Sequence, residues 1–341
     1  MFETGTKLAH CLAELAVGTT DNLVGLVGPH SRFYPPYVLA AMVIAAVAWT
    51  VNREAQRERG QVRFLAHLFD PAVYFSASSL VDLKIVLANR IFAPFLGLTG
   101  IGATIWAAHA TASLFVTVEP GTATPGTLTL AAMTVVTVVA SDFTSYWVHR
   151  IHHETPWLWP FHKVHHSAET LTPLTFARKH PVYDLLRAIS NLVLVGPVQG
   201  LLFAAFGVAD FATILGVNAL YALFFWGGAN LRHSHIWLSY GPVLSRILIS
   251  PAQHQIHHSC APRHHNKNYG EIFALWDWMF GRLYVPHAME DLEFGVADAY
   301  GVREPQAHPT LVDAWVVPFR ESAAVIEGLR KRRRDIAKVS S

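Results

Sequence analysis

Charge is what this chain has least of. Only 15% of its 341 residues are Asp, Glu, Lys or Arg, against 52% hydrophobic, and the formal net charge is +2. An average soluble domain carries roughly a quarter charged residues. The mean hydropathy is +0.30, and the apolar residues are blocked into long runs, the pattern of an integral membrane protein. Cysteine is as scarce. Cys11 and Cys260 lie far apart without C-x-x-C spacing, which excludes a thiolate zinc site or an iron–sulfur cluster within the chain. The N-terminus has an early Glu3 and no basic start before an apolar core, so it does not read as a cleavable signal peptide. Residues 2–17 read instead as a short amphipathic helix lying at an interface. Nothing in the chain resembles a nucleic-acid-binding module.

Histidine, by contrast, is abundant and clustered. Of 20 histidines, 14 lie between His149 and His265, where an even spread would put about seven. The pentapeptide H-x-x-H-H occurs at His149 to His153, at His162 to His166 and at His254 to His258. On a helix, positions i, i+3 and i+4 share a face. Each copy can therefore aim three imidazoles at one point, and three copies could surround a pair of metal ions. A lone histidine in an apolar helix is usually a hydrogen-bonded core residue, but packing does not require one histidine pattern repeated across so long a gap. Imidazole suits iron, zinc, copper and nickel alike, so residue type leaves the metal open.

The expected fold is all-α, an integral membrane bundle of about four to five transmembrane helices with a cytoplasmic helical cap holding a histidine-rich dimetal site. Candidate spans are Pro36 to Val51, Phe92 to Val118, Thr127 to Val148, and the two arms of a second hairpin, 188–207 and 209–230. Pro197 and several glycines predict a kink or a re-entrant segment in the first of those arms. Residues 64–90 mix apolar and polar positions and read as interfacial or site-covering helices. The arginines of 52–63, the basic residues of 149–187 and 231–290, and the Arg330 to Arg334 tail point to one cytoplasmic face by the positive-inside rule. The turn-rich loop from Glu119 to Gly126, free of Lys and Arg, falls on the other. No linker divides the chain. It reads as a single membrane domain over 1–341, with an N-terminal segment and first span to residue 60, a catalytic region over about 60–290 and a tail over 291–341.

The order Asp142-x6-His149-Arg150-x-x-His153, then His162-x-x-His165-His166, then His254-x-x-His257-His258 resembles the fatty acid hydroxylase/sterol desaturase superfamily. Asn268-Tyr269-Gly270 through Trp276-Asp277 to Phe280-Gly281 resembles that family's closing stretch. The resemblance implies a membrane-bound, non-haem di-iron oxygenase, with O2 as co-substrate, that hydroxylates or desaturates an unactivated C–H position of a lipid. A sterol, fatty acyl chain, sphingolipid or ether lipid would suit. It implies metal ligands at His149, His153, His162, His165, His166, His254, His257 and His258, with His180 and His233 added from the segment between the motifs. His152 becomes a spare with a hydrogen-bonding role, His235 a weaker candidate, and His264 and His265 rim residues. Asp142 and Asp277 are candidates to orient the imidazoles from behind.

Such chemistry needs two electrons per turnover. The chain has no H-P-G-G segment of a fused cytochrome b5 domain and no G-x-G-x-x-G after a strand. A separate donor, a ferredoxin or cytochrome b5-like protein with its reductase, is expected to dock on the cytoplasmic face at Arg150, Lys163, Arg178, Lys179, Arg263 and Lys267. The H-x3-H form of the first motif leans towards hydroxylation. Two other classes compete: a haem-binding electron carrier, which predicts isolated histidines within spans, and a zinc-dependent transporter or hydrolase. The latter predicts polar residues at mid-span in several helices or an H-E-x-x-H motif; the spans are nearly free of charge and the motif is absent.

Overall fold

The computed structural model describes residues 25–61, 63–92, 101–115, 126–207, 213–214 and 217–339. The expected N-terminal interfacial helix and most of the loop before Gly126 lie outside them. The chain forms two compact units. One comprises Met1–Val51, Val86–Thr144 and Leu185–Leu231, and the other Asn52–Ile85, Ser145–Asp184 and Arg232–Ser341. The described residues are mostly helical, with connecting turns and loops and a two-residue antiparallel pair, β1 (Thr213–Ile214) and β2 (Val217–Asn218), in which Thr213 lies opposite Asn218.

In the first unit the packing is that of a membrane bundle. Helix α1 (Pro35–Val51) buries Tyr37, Ala41, Ala45 and Ala48 while leaving Leu39, Val43, Val47 and Val51 exposed. Small residues inside and large aliphatic ones outside, four apart along one stripe, suit lipid rather than water as the surrounding medium. Tyr37 sits against Phe225 and Trp226, with ring centroids 5.3 and 6.3 Å away. Gly196 and Gly200 let two helices come together. A methyl group at either would collide with Ala107 Cβ or Thr111 Cβ, each at 2.6 Å. This small-x3-small contact joins Pro181–Phe206 to Ile101–Ser113.

Two described helices are long and apolar enough to cross a membrane, Thr127–Glu154 and Pro181–Phe206; Phe64–Tyr74 with Ala77–Phe92 would add a third only as a span bent by 74°. The expected arm 188–207 is thus longer than read and starts at Pro181. Pro197 does not break it, because residues Asn191–Val195 adopt a π-helical turn just before, which accommodates the missing N–H. Among its described residues, the expected arm 209–230 carries the two-turn helix Ala219–Trp226 after the β pair and the start of a 3-10 turn at Ala229. The expected span from Phe92 to Val118 contains the 13-residue helix Ile101–Ser113, its flanks lying outside the described residues.

Four helices of the chain build the site, numbered here in chain order: α2 (Ala77–Phe92), α3 (Thr127–Glu154), α4 (Trp159–His166) and α5 (Pro251–His257). With 28 residues, α3 extends about 42 Å, past a hydrocarbon core of about 30 Å. Its last turns, which carry the first histidine motif, belong to the second unit.

Candidate metal centre

Helix α5 starts cleanly because Ser250 and Gln253 form a reciprocal capping box with Pro251 in the first turn. Gln253 also donates to Ser245 O at 2.8 Å, and Gln255 to Ile236 O at 2.8 Å. Helix α4 is held by Arg178 and by the C-terminal helix. Arg178, fully buried, donates through Nε to Val164 O at 2.8 Å, in the middle of the second histidine motif, and through Nη2 to Ser167 Oγ at 2.9 Å. Its Nη1 pairs with the equally buried Asp82 of α2 at 2.8 Å, and Asp82 also accepts from Thr175 at 2.5 Å. The C-terminal helix α6 (Leu311–Val339) also packs on α4. Lys163 reaches Glu321 at 2.7 Å, Phe319 packs on Phe161 at 5.2 Å, and Ser322 donates to Trp157 O at 2.8 Å. The tail, which no motif marked, is therefore a brace for the second histidine strip.

These elements bring nine of the ten expected ligands into two groups, each with its candidate donor atoms within 4.8 Å of one another. One is His149, His153, His162, His166 and His257; the other is His165, His233, His254 and His258. The motifs do not each aim at one point, as their spacing alone allowed. Helix α4 gives its i, i+4 pair (His162, His166) to the first group and the i+3 residue, His165, to the second. Helix α5 does the reverse, giving His254 and His258 to the second group and His257 to the first. The cause is helical geometry: i+4 lies about 40° to one side of i and i+3 about 60° to the other. A strip that touches two neighbouring centres divides at that seam. The two groups are adjacent, with His166 stacked on His258 at 4.4 Å.

The expected tenth ligand, His180, stands apart. Its Nε2 donates to Trp315 O at 3.1 Å and its Nδ1 accepts from Val182 N at 3.1 Å, so neither nitrogen is free and the ring ties α4's surroundings to α6. His152 joins neither group; its Nδ1 bonds Val148 O at 2.6 Å. His235 bonds His67 O through Nε2 at 2.6 Å. His264 pairs with Glu290 at 3.1 Å.

The nitrogens of the two groups are arranged as ligands rather than as hydrogen-bonding partners. In the second, the Nε2 atoms of His165, His233, His254 and His258 face one another in sequence at 3.2, 2.9 and 3.3 Å. Four such nitrogens cannot all donate and accept. Ligands about 2.1 Å from a common ion stand about 3.0–3.4 Å apart, the same spacing. In the first group, Nε2 of His149, His153, His162, His166 and His257 is buried without a partner. Such orphans are costly, about 1–3 kcal/mol each, unless a ligand satisfies them.

What stands behind the rings fixes which nitrogen is offered. His149 Nδ1 donates to Tyr269 O and His257 Nδ1 to Lys267 O, both at 2.7 Å, which leaves Nε2 as the lone pair. Asp277 holds that loop by accepting from Tyr269 N at 2.8 Å and Gly270 N at 2.7 Å. It thus orients His149 through the backbone rather than by touching an imidazole. The loop explains the Asn-Tyr-Gly sequence. Asn268 has φ 58° and bonds Gln253 O and Tyr284 N, and a methyl at Gly270 would meet Ile249 Cγ1 at 2.9 Å. His254 differs. Arg232, buried and bonded to the carbonyls of Gly270 and Glu271, points Nη2 at His254 Nδ1 from 3.1 Å. The Arg232 contact thus favours the opposite tautomer at His254 from that of His149 and His257.

Burial, and then repulsion from neighbouring imidazoles and cations, holds His162, His165, His166, His254 and His258 well below the ordinary histidine value. Burial brings His257 down to about 4. All six are neutral at pH 7, the form a metal requires. Among the described residues neither group contains a carboxylate; Glu154 is engaged with Arg282 at 2.6 Å and Arg150 at 3.1 Å. The expected basic docking patch is also revised. Arg178 is internal, and the Lys163 side chain is 12% exposed and ion-paired. Arg263 remains at the surface, 62% exposed beside Glu290.

A helical chain with two adjoining all-imidazole groups defines a candidate dimetal membrane protein. Residues 134–282, which carry the three motifs, match the fatty acid hydroxylase family model. Similar proteins include alkylglycerol monooxygenase of Danio rerio, 34% identical over 41% of this chain and 28% of that protein. Ornithine lipid hydroxylase OlsE of Rhizobium tropici is 29% identical over 49% of this chain and 46% of its own. Sphinganine C4-monooxygenase 1 of Arabidopsis thaliana is 26% identical over 52% and 63%. Over the stretch that carries its three motifs, the chain is thus similar to the fatty acid hydroxylase family. The matched part spans less than half the length of the first two relatives. No solved structure matches significantly.

Proposed function

We propose that this protein is an O2-dependent lipid hydroxylase whose two histidine groups hold a pair of iron ions. The observation that carries the reading is the pair of adjoining imidazole groups, nine rings with buried nitrogens turned inward, in a family whose named relatives hydroxylate an ether lipid, an ornithine lipid and a sphingoid base. When bound, two redox-active ions supply the oxidising power that an unactivated C–H bond demands. The chain's own residues do the rest. Nine imidazoles would hold the ions, and the carbonyls of Tyr269 and Lys267 set the tautomers of His149 and His257. One oxygen atom ends in the product and one in water, with two electrons and two protons consumed. Those electrons come from a separate donor and reductase. The site faces the cytoplasm, on the side of the basic segments.

The lipid partner enters from the membrane, and relatives acting on different lipids leave its class to experiment. Lipid profiling of a host with and without the gene tests the reading. A lipid class heavier by one oxygen atom only when the gene is present is expected. A loss of two hydrogens instead would make it a desaturase, and no gene-dependent change in any lipid would refute the assignment.

A further inference from the structure

Eight of the nine clustered histidines are buried, and the exception is His153. It is half-buried because a cavity of about 220 Å³ reaches it from the surface of the second unit, and His166, His257 and His258 also line this cavity. Both groups are therefore represented on one wall, His153, His166 and His257 from the first and His258 from the second. The Nε2 atoms of His153, His166 and His257 and the Nδ1 of His258 are buried and unpartnered.

The opposite wall is the loop Gly295 to Ala299, whose tip, Asp298 and Ala299, is solvent-exposed. Asp298 uses Oδ1 to accept from Tyr300 N and Val302 N, both at 2.9 Å, so the turn holds its carboxylate at the rim. The rest of the lining includes the Asn266 amide, the Cys260 thiol and the His265 imidazole, and no lysine or arginine. Phosphate and carboxylate find no cationic partner there, and an acyl chain finds Trp159, Val296 and Ala297 interrupted by imidazoles and the Asn266 amide. A small cation finds one carboxylate at the mouth and soft nitrogen donors at the floor.

We propose that this cavity is the port through which divalent transition-metal ions enter and leave the centre. A closed imidazole site needs such an entry path, since its ligands are otherwise sealed from solvent. Ions arriving at the rim reach His153 first and pass inward to the remaining rings. The loop Gly295 to Ala299 then controls the rate of exchange without contributing to the final coordination.

This inference rests on the metal-centre reading above, and its test separates the two. Full-length protein in detergent is stripped with a chelator, and Co2+ uptake is followed by the visible absorption that imidazole coordination produces. Release from the loaded protein to excess chelator is followed in the same way. Ala297→Trp places an indole in the cavity wall, and Val312→Trp, at an exposed position on α6, serves as the control. Uptake and release slowed about tenfold or more in A297W, with the final Co2+ stoichiometry unchanged and V312W like wild type, is the expected result. Ala299→Trp, at the exposed rim, gives the same slowing should A297W fail to fold. Rates within about twofold of wild type in every folded tryptophan variant, at equal stoichiometry, would overturn the port. Wild-type protein that takes up no Co2+ at all would instead overturn the metal centre.

Discussion

Replacing Asp277 by Asn tests whether the loop behind His149 is part of the metal site. The carboxylate is fully buried and accepts from two backbone N–H groups, Tyr269 at 2.8 Å and Gly270 at 2.7 Å. An amide of the same shape retains one acceptor and presents N–H to the other donor. One buried amide is left unsatisfied, at about 1–3 kcal/mol, and hydrogen bonds to a charged acceptor, worth about 1.5–3 kcal/mol, are lost. The loop then shifts, and with it the Tyr269 carbonyl that fixes the His149 ring. Removal of such outer partners typically costs about 10–100-fold in metal affinity. The assay is competition with a chelator of known affinity, alongside thermal unfolding of the metal-free protein. Tyr269→Ala keeps the carbonyl and should weaken metal binding far less than D277N. Wild-type affinity in D277N, or an equal loss in both variants, would refute the reasoning.

Arg178→Met strands the buried Asp82 carboxylate and should cost about 3–5 kcal/mol of stability, with Arg178→Met/Asp82→Leu recovering much of it; a harmless single variant in thermal unfolding would contradict the buried pairing. His180 and His308 lie at about 4 and about 3, lowered chiefly by burial. Their contribution is complete above an unfolded value near 6.5 and is lost as pH falls through 4 and then 3, roughly 3 kcal/mol from His180 alone. Metal-free protein should therefore unfold more readily in that window, and His180→Gln should flatten the slope; an unchanged slope would count against it. Cysteine probes at Thr127 and Lys338, in a chain without Cys11 and Cys260, should label from opposite sides of the membrane, and labelling of both from one side would break the proposed topology.

The histidine strips were legible because their spacing is short-range, set by one helical turn. What the spacing could not tell is how a strip divides between two centres, since that depends on where the facing helix lies. His233 was reached only through the family resemblance, as its segment has no helical periodicity. His180 looked like a ligand by position, yet its Nε2 partner is a carbonyl on α6, 135 residues away. Arg178 looked like a surface charge for the same reason. Its partner Asp82 is 96 residues upstream, and nothing local marks either as internal. Asp277 was recognised as a support, but its route through the Tyr269 backbone is a property of the loop's conformation. The span from Thr127 was read well because hydrophobicity alone defines it. Pro181–Phe206 was cut short because polar residues such as Asp184 and Arg187 sit in its first turns.

The central claim is that the chain holds two metal ions with the histidines divided between them as the two groups are. Anomalous diffraction at the iron edge from iron-loaded crystals measures this directly. Two peaks are predicted, one among His149, His153, His162, His166 and His257 and the other among His165, His233, His254 and His258, with His165→Ala abolishing only the second. A single peak, peaks outside these groups, or loss of the first site in the His165 variant would contradict it.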